Sequence, residues 1–412
     1  MAGVAQRIAI IGAGQAGGQT AYSLRAAGFD GAITLIGDEP APPYQRPPLS
    51  KAYLKGEMEA ERLYLKPVEY YPEHQVELIT GNAVNAIDAA AKRIELERGL
   101  AIGWEKLVIA TGARPRRLQL PGAALPGVLE LRTLADVDKL KAVAVAGKRI
   151  VVVGAGYIGL EAAAVSAQLG LVVTVLEAMP QALARVAGPE IGAFYTAVHR
   201  EAGTDFRLGA KLEGFEGSGQ LTGARLAGGE VIPCDIALVG IGVMPNLEIA
   251  QAAGLNCGNG IVVDALMRTS HPDIYAIGDV AWRPLLHYRR EGRLESVHNA
   301  IEGGKIAAAS ILGGTPHTLE VPWFWSDQFD LKLQTAGLWT GADQRITRGD
   351  PQSRGFAVFY LKEGRVIAVD AVNSAPEYLV GRKLVAASAA VAPGELADKS
   401  ISMKDIGARA LG

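Results

Sequence analysis

Residues 7–40 read RIAIIGAGQAGGQTAYSLRAAGFDGAITLIGDEP, and residues 149–180 repeat the pattern as RIVVVGAGYIGLEAAAVSAQLGLVVTVLEAMP. Each copy opens on a short β-branched run, Ile8–Ile11 or Ile150–Val153. Such a run suits a strand buried on both faces of a parallel sheet. A glycine turn follows, then an Ala-rich helix, then a second strand (Ile33–Ile36; Val172–Leu176), and acids close the unit: Asp38 and Glu39 in one copy, Glu177 in the other. The turns are Gly12-x-Gly14-x-x-Gly17 and Gly154-x-Gly156-x-x-Gly159. The first glycine permits the tight turn, the second lets backbone approach a pyrophosphate, and the third lets helix pack on strand. The helix N-terminus adds partial positive charge for the phosphates. An isolated turn of this kind is weak evidence. Here each copy has the strand before, the helix after, and an acid roughly 20–26 residues on that can bind ribose hydroxyls.

Two dinucleotide cradles in one chain imply two dinucleotides, with electrons passing from one to the other. The cradle that ends in Glu177 should take NAD rather than NADP, because a carboxylate pairs with a 2′-hydroxyl and repels a 2′-phosphate. Arg185, eight residues on, is the counter-signal; its plainer reading is a solvated helix residue.

The bulk properties agree with a folded enzyme. At ~150 residues per domain, 412 residues make two to three domains. With hydrophobic residues at 49% and charged ones at 20%, the chain is not a disordered one. The 50 glycines follow no three-residue period, which excludes collagen and assigns the excess to turns and close backbone contacts. The 41 Lys+Arg balance 43 Asp+Glu for a net −2, so no nucleic-acid partner is expected. Cys234 and Cys257 are the only cysteines and form no CxxC. That excludes a CxxC dithiol and a zinc ribbon, and no metal site is expected. A cytoplasmic home and no membrane partner are expected. The longest charge-free stretch, Ile8–Leu24, is broken by Gln15, Gln19, Thr20 and glycines, and the Ile8–Ile11 run is too short for a leader.

Elsewhere the chain is strand-rich. Leu107–Ala110 is a third buried-strand run that ends in Thr111-Gly112, and Pro115–Pro126 reads as a linker. Ile236–Val243 is a further apolar run, closing at Pro245. Ile261–Val263 and Ile274–Ile277 read as short strands, the latter ending in Gly278-Asp279. A carboxylate after such a turn can accept a bond from a polyol hydroxyl; it can equally be a turn residue. From Val321 the texture changes: Trp323, Phe324 and Trp325 cluster, strand-like runs follow (Leu331–Leu338, Phe356–Leu361, Val366–Val372), then a helix-like Glu377–Ala390. This predicts an α+β C-terminal domain. The tail after Pro393 reads as a packed arm, with disorder the alternative.

The segments IAIIGAGQAG, PYQRPPLSKAYL (43–54), LVIATGARPR (107–116), VVVGAGYIGLEAAA (151–164), VGIGVMPN (239–246), IYAIGDVA (274–281), ESVHNA (295–300) and PWFWSDQ (322–328) resemble, in order, those of the two-dinucleotide flavoprotein oxidoreductases. Within that group the resemblance is to the NADH-dependent ferredoxin reductases of bacterial oxygenase systems, the putidaredoxin reductase-like family. It implies an α/β fold of two Rossmann-like dinucleotide-binding domains, for FAD and NAD, plus an α+β interface domain. The divisions it implies are 1–115 and 245–320 for FAD, 116–244 for NAD and 321–412 for the interface domain. For FAD it implies Gly12, Gly14, Ala16 and Gly17 at the pyrophosphate, and Asp38 at the adenosine ribose. Val84 would flank the adenine, Arg46 would serve the phosphate or ribityl region, and Ala110, Thr111, Gly112 and Arg132 would contact the cofactor. Gly278 and Asp279 would hold the ribityl chain, and Val297 the pyrimidine end of the flavin. For NADH it implies Gly154, Gly156, Tyr157, Ile158 and Gly159, with Glu177 on the ribose. Lys51, in PPLSK, would reach the isoalloxazine, with Glu161 beside it where nicotinamide stacks. The bland readings are an exposed lysine and a glutamate that favours its helix start.

Hydride transfer between stacked rings needs near-attack geometry and exclusion of water rather than a side-chain base. The relatives that route electrons through a thiol need cysteines just after the first cradle. Here Pro42, Pro43, Tyr44, Gln45 and Arg46 stand there, so electrons must leave the flavin directly. The resemblance implies a 2Fe–2S ferredoxin as acceptor, serving an oxygenase, of which a haem monooxygenase is the first choice. Basic stretches such as HYRREGR (287–293), with Lys66 and Lys305, are candidate docking groups or plain solvated loops. The alternatives are reduction of rubredoxin or of monodehydroascorbate, and a flavoprotein of the apoptosis-inducing-factor type that acts by binding.

Overall fold

In the computed structural model, whose described residues are 7–315 and 321–412, Arg7–Ile11 is the middle strand of a five-stranded parallel sheet. Its order is Ile274–Ala276, Lys106–Ile109, Arg7–Ile11, Ala32–Ile36, Val76–Ile79. Ile8, Ile10, Leu107, Val108 and Ile33 are fully buried because helices or loops cover both faces. Each such side chain stabilises the fold by about 1.5–3 kcal/mol. This sheet organises the first of two compact units, residues 7–46, 60–114 and 243–315.

The second unit comprises 47–59, 115–242 and 321–412. Its parallel sheet repeats the first: Asp205–Leu208, Val172–Glu177, Arg149–Val153, Ile236–Val239, Val128–Glu130. Both cradles predicted from sequence are therefore formed, each at the point where strand order reverses beside the first strand. The Ile236–Val243 run is divided. It leaves the sheet at Val239, bends through Gly240–Gly242, and resumes as Val243–Pro245. The stretch from Pro115 to Pro126 is not a free linker. Leu118, Ala123 and Leu125 pack on the core around Val151, Phe215 and Val239, and Pro121 accepts a backbone bond from Phe215 at 2.8 Å.

The C-terminal part is the α+β layer the sequence predicts. An antiparallel sheet runs Trp323–Gln328, Leu331–Gly337, Arg365–Val372, Gly355–Lys362, Gln344–Asp350. The helix Ala375–Ala386 packs on it. It starts two residues earlier than expected, with Pro376 in its first turn, and stops before Ser388, whose φ is +46°. The tail forms two short helices, Pro393–Ala397 and Met403–Leu411, whose Leu396, Met403 and Ile406 enter the same core. Arg348, 2% exposed, clips this tail down. Its guanidinium donates to the carbonyls of Leu396, Asp398 and Ile401 and to Glu377.

Candidate functional site

In the first cradle the strand Arg7–Ile11 delivers Gly12 at φ +110°, where a Cβ would strike the Ala110 carbonyl at the end of the neighbouring strand. A Cβ on Gly17 would strike the Gly12 carbonyl. Only glycine lets turn, helix and strand approach this closely. Over Gly14 a Cβ would meet nothing within 4 Å. The helix Gln15–Ala26, with Ala16 buried in its first turn, has neither a side-chain cap nor an acid in that turn. No side chain caps its leading N–H groups and no acid of its first turn competes for them, which fits a pyrophosphate.

The remaining candidates of this unit surround that turn. Thr111 donates through Oγ1 to the Asn246 carbonyl at 3.0 Å, and Asn246 Nδ2 donates back to the Thr111 carbonyl at 2.8 Å. This clasp fixes Gly112, at φ +64°. Asp38 lies two residues beyond the strand Ala32–Ile36 and accepts from the Glu39 N–H at 3.0 Å. Glu39 accepts from Tyr44 Oη at 2.6 Å and pairs with Arg46 at 2.5 Å. Burial works against the Arg46 charge, but Tyr44, Glu39 and Asp279 together outweigh it and raise its pKa. Asp279 sits in the single turn Gly278–Val280. Asn299 holds that turn, donating through Nδ2 to the Gly278 carbonyl at 3.2 Å and accepting from the buried Arg283 at 2.9 Å. Burial pulls the Arg283 pKa down to about 10. Val297 opens the helix Val297–Ile311, and Val84 is buried at the start of the strand Val84–Asp88.

The second cradle repeats the geometry. Gly154 is at φ +107°, a Cβ there would strike the Gly240 carbonyl, and a Cβ on Gly156 would meet nothing within 4 Å. The helix Tyr157–Gln168 is again uncapped and free of acid in its first turn; Ile158 is exposed there and Gly159 is buried. Glu177 turns its carboxylate back onto this cradle. Oε2 accepts from the Ala155 N–H at 2.7 Å and Oε1 from the Met179 N–H at 2.8 Å. A negative charge thus stands at the end of the strand, where a 2′-phosphate would have to lie. Arg185 is exposed in a turn rather than on a helix, with its guanidinium beside Gly242. Its sequence reading as a helix residue is corrected.

Lys51 and Arg132 belong to this second unit. Arg132 is half-buried just before the helix Leu134–Val143, whose cap is the reciprocal Thr133–Asp136 box. Lys51 Nζ lies 2.7 Å from Glu161 Oε2, with Lys51 17% and Glu161 3% exposed. Glu161 also accepts from Ser50 Oγ at 2.5 Å and from Ser326 Oγ at 2.7 Å. A buried carboxylate with one ammonium and two hydroxyl donors is a fully paired charge. Sequence reasoning missed Ser50 and Ser326, as it missed Asn246 and Asn299. Their signal lay in motifs that had been quoted (PPLSK, PWFWSDQ, VGIGVMPN, ESVHNA) without a role for those positions.

Other candidates are placed more plainly. Cys234 is fully buried, and burial pushes its thiol up to about 12; the half-buried Cys257 is raised too. Neither is poised as a thiolate. Of the basic groups, Arg293 folds back onto the Asn259 and Asp279 carbonyls, Lys305 pairs with Glu302, and Lys66 lies over the Tyr22 and Tyr70 rings. The rings of Trp323 and Trp325 are half-buried, with centroids 5.6 Å apart.

Two glycine cradles, one of them closed by a carboxylate, define a nucleotide-dependent oxidoreductase that handles two dinucleotides. The chain belongs to the pyridine nucleotide-disulphide oxidoreductase family, whose model matches residues 6–304, and a reductase C-terminal model matches 323–407. It is 43% identical to rhodocoxin reductase of Rhodococcus erythropolis, over 96% of this chain and 93% of that one. It is 41% identical to putidaredoxin reductase of Pseudomonas putida, over 97% and 96%. The structure of the covalent putidaredoxin reductase–putidaredoxin complex matches with a TM-score of 0.97 at 40% identity, covering 99% of both chains.

Proposed function

We propose that this chain is an NADH-dependent ferredoxin reductase. FAD would lie on the first cradle and NADH on the second, and the acceptor would be a 2Fe–2S ferredoxin that supplies an oxygenase, a haem monooxygenase first. The observation that carries this reading is the pair of open, uncapped cradles combined with two buried or half-buried, unactivated cysteines. Both dinucleotides have a place, and no thiol stands ready to take electrons from the flavin. FAD held on the first cradle would supply two-electron uptake from NADH and one-electron release, which suits a one-electron iron–sulfur acceptor.

The chain's own residues have distinct tasks in this reading. Gly12, Gly14, Ala16 and Gly17 bind the FAD pyrophosphate with backbone N–H groups. Asp38 binds its ribose, Asp279 the ribityl chain, Val84 and Val297 flank its ends, and Arg46 and Arg132 supply positive charge. Gly154, Gly156, Tyr157, Ile158 and Gly159 bind NADH, and Glu177 selects its 2′-hydroxyl. Lys51 and Glu161 would serve the reacting rings, with Glu161 holding the Lys51 ammonium in place. Divisions at 1–115, 116–244, 245–320 and 321–412 are the proposed assignment of these tasks along the chain, although residues 47–59 cluster with the second compact unit. No helix among the described residues is long and apolar enough to cross a membrane, and we place the protein in the cytoplasm.

Anaerobic titration of the purified yellow protein with NADH and then NADPH tests the donor side. Full bleaching by NADH at stoichiometric amounts is expected. Reduction of a 2Fe–2S ferredoxin should outrun that of cytochrome c, rubredoxin or the monodehydroascorbate radical. Faster reduction of any of these others under matched conditions would refute the acceptor, and a correctly folded preparation that takes up no flavin would refute the whole reading.

A further inference from the structure

The strand Trp323–Gln328 alternates, so Phe324, Ser326 and Gln328 share one face. That face meets two helices of the same unit. Phe324 stacks on Tyr157 with ring centroids 4.5 Å apart and planes at 24°. Ser326 bonds Glu161, which lies one helical turn after Tyr157 on the helix Tyr157–Gln168. Gln328 Nε2 donates to Ser326 Oγ at 3.1 Å, and Gln328 Oε1 meets His199 Nε2 at 2.9 Å. His199 is on the helix Pro189–Glu201. Ser326, Gln328 and His199 are 0%, 1% and 0% exposed.

The direction of every proton in this chain follows from its first member. Glu161 is paired with the Lys51 ammonium, so as a carboxylate it only accepts. Ser326 must then donate its hydroxyl proton to Glu161 and can only accept from Gln328. Gln328 spends its amide N–H on Ser326 and turns its carbonyl to His199. His199 must therefore carry its proton on Nε2. Its Nδ1 has no hydrogen-bond partner among the described residues, and its ring meets the Phe206 and Phe329 rings edge-on, so a second proton finds no acceptor there. Burial lowers the His199 pKa, against the weaker opposing bond from Gln328.

We propose that Ser326, Gln328 and His199 are positioning residues that hold the Glu161 carboxylate in one rotamer beside Lys51, each through the next. This rests on the reading that Glu161 acts where nicotinamide meets flavin. The charged and titratable groups that face Glu161 are Lys51 from the PPLSK segment, Tyr157 from its own helix, Tyr195 from the helix Pro189–Glu201, and Asp327 and Asp370 from the C-terminal sheet through those tyrosines. The two tyrosines are raised by burial and stay neutral across the working range. The donor chain is therefore the device that can be removed without altering any charge.

Two measurements on the flavin-loaded protein test it. Nitrogen-15 NMR of histidine-labelled enzyme should show His199 as the neutral Nε2–H tautomer with slow proton exchange between pH 6 and 8. An Nδ1–H tautomer, or a doubly protonated ring, overturns the chain without reference to activity. In stopped-flow reduction by NADH, Ser326→Ala removes one charge-assisted bond to the carboxylate. The limiting rate of flavin reduction should fall by about tenfold, and Gln328→Met should lower it by less. In a Glu161→Gln background Ser326→Ala should add nothing. An unchanged limiting rate, or a Ser326→Ala effect that persists without Glu161, refutes the proposal. If Glu161→Gln itself leaves reduction unchanged, the role of Glu161 at the rings falls, and the tautomer measurement still decides the chain alone.

Discussion

Asp370 should make the protein less stable as the pH rises from mildly acidic to neutral, and Asp370→Asn should abolish that dependence. Asp370 is on the strand Arg365–Val372 and is 3% exposed. Burial pushes its carboxyl up to about 7 from 3.8, and Glu190 adds to the rise; the Tyr360 hydroxyl, donating at 2.6 Å, and the Gly188 N–H, 3.0 Å from that hydroxyl, oppose it only in part. Between these two values the folded chain binds a proton that the unfolded chain has lost. Stability is therefore fully present below about pH 4, falls as pH climbs, and levels off above about pH 7. A gap of about three units at ~1.4 kcal/mol each is worth roughly 4 kcal/mol. Asn is neutral throughout and still offers an oxygen to Tyr360. Measured by guanidinium unfolding of wild type and variant in parallel, the stability difference should shift toward the variant by roughly 4 kcal/mol between pH 4 and pH 8. A difference that stays flat across that range would show that Asp370 is ionised in the folded state at all these pH values, and the burial argument would be wrong.

Three further changes have defined outcomes. Lys51→Met keeps the aliphatic stem but leaves the Glu161 carboxylate buried with only its two serine donors; breaking such a pair costs about 3 kcal/mol, visible as a lower thermal midpoint, and an unchanged midpoint would mean that the ion pair adds nothing to stability. Glu177→Ala should narrow the NADH over NADPH preference in kcat/KM by about tenfold and raise the KM for NADH, because the Ala155 N–H loses its acceptor; steady-state kinetics with both nucleotides reads this, and an unaltered ratio would shift selectivity onto Arg185 or elsewhere. Asp279→Ala should release flavin during dialysis that wild type withstands, followed by visible absorbance; equal retention would remove the carboxylate from the cofactor site.

The fold was readable because its determinants are local. The β-branched runs, the glycine spacing and the terminal acids of both cradles lie within single short segments, and each predicted strand lies within about a residue or two of its place. What misled was composition without context. The prolines around Pro115–Pro126 resemble a linker, yet Leu118, Ala123 and Leu125 are apolar teeth that a neighbouring sheet covers. Apolar continuity from Ile236 to Val243 conceals the bend at Gly240–Gly242, which the close approach of Gly154 requires. In both cases the deciding partner lies far away in sequence.

The site divides along the same line. Gly12, Gly154, Glu177 and Asp279 announce themselves because phosphate and ribose chemistry demands particular residue types at particular points of a local motif. The groups around Glu161 do not, because their partners lie in four different segments: Ser50 and Lys51, Glu161, Ser326 and Gln328, and His199. A serine, a glutamine and a lone histidine in those settings are each unremarkable polar residues. One feature of the sequence still carried the information. In Trp323–Gln328 an apolar strand turns polar at Ser326 and Gln328, with the exposed Asp327 between them. Two polar residues on the buried face of a strand must find hydrogen-bond partners inside the protein, since leaving either unpaired costs about 1–3 kcal/mol. The alternation thus requires a polar counterpart on whatever element covers that face, and Glu161 is the polar residue that the cradle helix presents there.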